Sequence, residues 1–126
     1  MNSGNEDTIS KLGGKCMEHL THCESLIMSI IWNEEKGEIP TFGIIDKLSE
    51  KHGKEYARTT IVTFITRLVD KGYVVKCKRG RIAYIQPVIS QEQYLSHMLK
   101  GIADFWYGGS TDKMINDLKG VYQDEN

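Results

Sequence analysis

The chain has 126 residues, 40% of them hydrophobic and 26% charged, with a formal net charge of -1, which allows one compact domain plus a short appendage but not a second core. No stretch approaches the roughly 18 apolar residues of a membrane span, and the opening MNSGNEDTISKLGGK lacks the apolar run of a signal peptide, so the cytoplasm is the expected compartment. Cys16, Cys23 and Cys77 form an odd, scattered set that fits reduced thiols better than a disulfide framework.

Residues 1–18, rich in Gly, Ser, Asn and charge, read as a loose arm. In LTHCESLIMSIIWNEEKG, Thr21 and Glu24 form a capping-box pattern, with Leu26, Ile27, Ile30 and Ile31 on one face and Gly37 closing the first helix. IPTFGIIDKLSEKHG predicts a second helix with Pro40 in its first turn, Ile44, Ile45 and Leu48 on one face, and Gly53 at its end. A third helix places Ile61, Phe64, Ile65 and Leu68 on its apolar side and Thr59, Thr60, Thr63, Thr66 and Arg67 on its polar side.

After Gly72, YVVKCKRGRIAYIQP predicts a hairpin turning at Arg79, Gly80 and Arg81. From Ser90 the helical period returns: Tyr94, Leu95, Met98, Leu99, Ile102, Phe105 and Trp106 form an apolar stripe behind a Ser90 and Gln93 capping box. GGS at residues 108–110 interrupts it. A last helix then offers Met114, Ile115, Leu118, Val121 and Tyr122.

The near-neutral charge hides an asymmetry. Residues 51–81 carry nine Lys and Arg against two acids, residues 1–50 four against nine, and residues 82–126 three against six. Basic charge gathered in one segment suits a local anionic partner.

Three helices followed by a basic hairpin predict a mainly α fold with a small β wing: a winged helix-turn-helix over residues 19–88, then a helical dimerisation region over residues 89–126. The third helix fits a major groove and the wing flanking phosphates, which marks Arg58, Thr59, Thr60, Thr63, Arg67, Lys71, Lys76, Lys78, Arg79 and Arg81 as candidate contacts to double-stranded DNA. A threonine run is often only a solvated helix face, and Lys and Arg often only keep an edge hairpin soluble. Five basic residues without an acid from Lys71 to Arg81 favour phosphates. The stripe from Tyr94 to Trp106, extended by Met114, Ile115 and Leu118, is expected to join two copies into a homodimer.

LTHCESLIMSIIW, TTIVTFITRLVDKGYV and RIAYIQPVISQEQYL followed by FWYGGS resemble the penicillinase-repressor (BlaI/MecI/CopY-type) family of bacterial transcription factors over about residues 20–118. Most specific is the ordered combination of T-x-x-x-R-L-x-x-K-G, a Tyr-bearing wing, a V-S-x-x-x-Y-like helix start and an aromatic-G-G-S break. The resemblance implies a dimeric repressor on a dyad operator, relieved in many members by a membrane sensor-protease that detects β-lactams and in others by copper.

Where the family's recognition helix commonly begins S-P-K-T and continues with an Arg, this chain has Ala57, Arg58, Thr59, Thr60 and Val62, so its operator is expected to differ from those of its relatives. Thr60, Thr63 and Arg67 match the pattern. The copper-type C-x-C pairs are missing after Cys77. The position implied for proteolysis is Asn116, with Asp117 where β-lactam-responsive members carry Phe.

Cys16, His19, His22 and Cys23 would suit zinc or copper as ligand types, but their spacing is no standard finger and the Thr21 cap divides them, so no metal and no cofactor are expected. The sequence lacks G-x-x-x-x-G-K-[ST], H-E-x-x-H and G-x-S-x-G, so it is not read as an enzyme. The rival reading is a winged helix that serves as a protein-interaction module without operator binding.

Overall fold

The computed structural model describes residues 17–124. Most of the expected arm, and Cys16 with it, therefore lies outside the described residues. The elements run α1 (His22–Trp32), β1 (Ile39–Pro40), α2 (Thr41–His52), α3 (Arg58–Asp70), β2 (Val74–Arg79), β3 (Ile82–Pro87), α4 (Gln91–Tyr107) and α5 (Thr111–Asp124). They group into two compact units, divided between Ser90 and Gln91.

The first unit is a winged helix. At the start of α1 the Thr21 hydroxyl accepts from the Glu24 N–H at 3.2 Å, and the Glu24 carboxylate accepts from the Thr21 N–H at 2.9 Å, completing the capping box. The helix stops at Trp32, short of the expected Gly37, because Asn33 caps it by donating its side-chain amide to Ser29 O at 2.7 Å. Pro40 likewise stands just outside α2 as its N-cap, in extended backbone, and Gly53 ends that helix in the left-handed region.

The α3-to-wing junction, DKGY, is a Schellman turn. Gly72 N–H donates to Val69 O at 3.0 Å and Tyr73 N–H to Leu68 O at 2.9 Å. Gly72 supplies the positive φ of 85° that this turn demands. The turn drives Tyr73 into the core as the first residue of the wing.

Three antiparallel strands form the sheet in the order β1-β3-β2. Hairpin pairing runs from Val74 opposite Pro87 to Arg79 opposite Ile82, leaving Gly80 and Arg81 as a two-residue turn. Gly80 takes φ 64° there, as such primed turns require. Strand β1 was not expected: its two residues pair Ile39 with Ile85 and Pro40 with Tyr84, too short a span for any period to show.

Ile27, Ile31, Ile44, Leu48, Ile61, Ile65, Leu68, Tyr73 and Ile85 are fully buried where helices and sheet meet, each worth about 1.5–3 kcal/mol in transfer terms. Trp32 Nε1 donates to Ile89 O at 2.8 Å and ties the end of the sheet back to α1.

Glu24 is buried beneath this layer, 1% exposed. One of its oxygens accepts from Lys71 Nζ at 2.7 Å. Burial raises the cost of the carboxylate charge, but the Lys71 ammonium and the Thr21 N–H and hydroxyl outweigh it, and the carboxyl titrates below its ordinary value. A pKa lowered by folding stabilises the native state above the unfolded value and ceases to do so as pH falls through the folded one. Acid unfolding of the Glu24→Gln variant, followed by circular dichroism, should therefore lose part of the wild-type slope below the usual carboxylate range.

The second unit is made of α4 and α5. Gly108 and Gly109, both at positive φ, end α4, with Gly109 N–H donating to Ala103 O at 2.8 Å. The Ser110 hydroxyl caps α5 by accepting from Lys113 N–H at 3.3 Å. Among its described residues, only Ala103 is buried.

Candidate nucleic-acid interface

Helical spacing sets the outer face of α3. Thr59, Val62, Thr63 and Thr66 recur at i, i+3, i+4 and i+7 and form one stripe opposite buried Ile61, Ile65 and Leu68. All four stripe residues are exposed. Arg58 borders the stripe on one side. Half-buried Thr60 and exposed Arg67 border it on the other.

Two of the three hydroxyls of this stripe are turned back to the helix. Thr63 Oγ1 donates to Thr59 O at 3.0 Å and Thr66 Oγ1 to Val62 O at 2.9 Å. The Arg67 guanidinium lies 5.8 Å from the Phe64 ring centroid, and that ring meets Tyr56 edge to face at 5.9 Å.

The pleat of β2 splits the basic wing. Lys76 and Lys78 alternate onto one face, whereas Arg79 points from the other, 4.1 Å over the Tyr84 ring. Glu38, just before β1, accepts from Arg79 and, at 2.9 Å, from Gln86 Nε2. The Arg79 contact holds the Glu38 carboxyl below its usual range, and Gln86 adds to this. Neither Glu38 nor Tyr84 was legible as a wing partner, because each meets Arg79 only through the sheet.

Arg58 and Arg81 are brought together. With Thr41, Phe42, Ile82 and Ala83 they line a groove of about 230 Å³ where the start of α2, the start of α3 and the wing tip converge. Arg58, Lys76, Lys78 and Arg81 are exposed and make no hydrogen bond or ion pair with the other described residues. Phe42, 52% exposed, completes this surface. Its one sequence signal was a large aromatic residue on the polar side of a helix start.

Lys71 faces elsewhere. Its side chain is 18% exposed, and its ammonium donates to Glu24 and, at 3.0 Å, to His19 O. The structure thus gives it an internal partner where a phosphate was expected. Tyr73 Oη donates to Glu18 O, so the backbone of Glu18, the last residue of the expected arm, and of His19, which follows it, meets the wing junction.

Cys23 Sγ meets Tyr56 Oη at 3.1 Å, and this contact raises the Tyr56 pKa. Among the described residues no group of three or more metal-ligating side chains converges. None of the described helices is long and apolar enough to cross a membrane.

The penicillinase repressor family profile matches residues 20–120. The chain belongs to that family. Its members are transcriptional repressors, not enzymes. The penicillinase repressor of Bacillus licheniformis is 26% identical over 101 residues, spanning 80% of this chain and 76% of that one. The solution structure of the DNA-binding domain of the repressor BlaI superposes with a TM-score of 0.53 at 28% identity, over 62% of this chain and 90% of that one. RosR of H. salinarum, at 19% identity, shares the fold with a TM-score of 0.53 over 86% of this chain and 96% of its own. The winged helix of this penicillinase-repressor family member thus presents a threonine-rich helix, a split basic wing and an arginine-flanked groove.

Proposed function

We propose that the protein is a homodimeric repressor that binds a dyad operator, placing α3 of each copy in a major groove and the wing tip against the flanking phosphates. The observation that carries this reading is the convergence of Arg58 and Arg81 beside the exposed face of α3, where neither arginine has a hydrogen-bond or ion-pair partner among the described residues. Excluding polymerase from an overlapping promoter would follow from occupancy alone. The setting for this work is the cytoplasm.

Dimerisation is assigned to α4 and α5. Leu95, Leu99, Ile102, Phe105, Trp106, Ile115 and Leu118 are all exposed, against one buried alanine among the unit's described residues. A helical pair of this size cannot bury a core of its own. Tyr94, Met98 and Met114, each half-buried, complete the surface.

Relief by a sensor-protease fits the same arrangement. A cut between Asn116 and Asp117 would detach Leu118, Val121 and Tyr122 from the apolar surface. Both residues are exposed but lie within α5, so the bond becomes accessible to a protease only where that helix unwinds.

Titration of duplex DNA at several salt concentrations tests the reading. Arg81→Ala should weaken binding and reduce the log–log salt slope by about one. Arg79→Ala should flatten it less, because Glu38 already balances that charge. Failure of the chain to retain any genomic fragment at low salt would overturn operator binding.

A further inference from the structure

We infer that the centre of α3 selects its operator through the 5-methyl groups of thymine rather than through hydrogen bonds to purine edges. This deepens the proposed function and rests on it.

Three observations carry the inference. The stripe Thr59, Val62, Thr63 and Thr66 contains no Arg, Lys, Asn, Gln or His, so it holds none of the side chains that pair bidentately with guanine or adenine. The hydroxyl protons of Thr63 and Thr66 are committed to the Thr59 and Val62 carbonyls of the same helix. Each side chain then presents its γ-methyl, and these methyls flank the two of Val62, which is 36% exposed. Arginine stands only at the borders, as Arg58 and Arg67, where phosphates or an outermost base lie within reach of a long side chain.

Of the groups a base pair shows in the major groove, the thymine methyl alone is apolar. A methyl-lined stripe gains by covering it. Against guanine, whose N7 and O6 only accept, Thr63 and Thr66 have no hydroxyl proton left to donate, so covering that edge strips its water and costs affinity. Val62 therefore acts as a specificity-determining residue, and the threonines act through their methyls as much as through their oxygens.

The test uses the full chain and a duplex selected from random sequence. Each thymine of the half-site is replaced in turn by deoxyuridine, a change that removes only the methyl group. Two or three replacements per half-site should each weaken binding about fourfold, the value of one buried methyl-sized group.

In Val62→Ala, at least one of those penalties should vanish while the others persist. Thr63→Ser, which keeps the hydroxyl and loses the methyl, should weaken binding more than Thr63→Val, which does the reverse. Val62 and Thr63 are exposed, so these changes open no cavity.

Deoxyuridine substitutions that all stay within twofold of the parent duplex, or selected half-sites with G·C pairs at their centres, overturn the inference while leaving operator binding intact. Absence of any duplex binding overturns both readings together.

Discussion

Changing Phe105 and Trp106 together to serine should convert the protein into a monomer and weaken operator binding by about 100-fold or more, because two linked half-site contacts become one. The two rings meet edge to face at 4.8 Å and stand 77% and 72% exposed. Such an aromatic pair is the kind of anchor on which interfaces concentrate their energy. Since both side chains are largely outside the fold of the single chain, their loss should leave the winged helix intact. Sedimentation equilibrium gives the oligomeric state, and circular dichroism with operator titration gives the remainder. A double variant that still sediments as a dimer would remove α4 and α5 from the proposed interface.

Lys71→Ala should have the second large effect, on stability. It leaves Glu24 buried, with one oxygen lacking a hydrogen-bond partner among the described residues and the other stripped of its ammonium. Removing one partner of a buried ion pair costs on the order of 3–5 kcal/mol. For a unit of this size that lowers the melting temperature by more than about 10 °C.

The same variant separates two roles for Lys71. A phosphate contact would alter the salt slope of DNA binding, whereas an internal strut would alter the melting temperature. Adding Glu24→Gln to Lys71→Ala should restore part of the loss, because the neutral amide no longer needs a cation. A single variant that melts within about 2 °C of wild type would sink the strut assignment.

Local chemistry made the framework readable in advance. Thr21 with Glu24, Gly53 after a helical run, and Gly80 between β-branched strands each announce their structure within a few residues. The helical faces of α2 and α3 were legible for the same reason: Ile44, Leu48, Ile61, Ile65 and Leu68 are spaced by the period of the helix and are buried.

What stayed hidden depends on tertiary partners. Lys71 looked like one more basic residue of the wing until folding set it beside Glu24, 47 residues earlier. Arg79 met Glu38 only because an unannounced two-residue strand joined the hairpin. The alternation that places Lys76 and Lys78 on one face and Arg79 on the other is simple strand geometry. Its consequence for the proposed DNA contacts became visible only with the position of α2 and α3. The threonine hydroxyls of α3 show a further limit, since composition reveals a hydroxyl but not which way it turns.

The pairing of β1 with β3 also sets an order of events during synthesis. Ile39 must wait for Ile85, and Trp32 for Ile89, so the sheet and its tie to α1 close only after nearly all of the first unit has been made. Such long-range closure is slow compared with helix formation. Domains complete themselves in turn as the chain emerges. Because every tie described for the winged helix lies before Gln91, a nascent chain can finish its DNA-binding unit before the apolar helices that follow have left the ribosome. In the proposed dimer each copy would then meet its partner with its winged helix already folded.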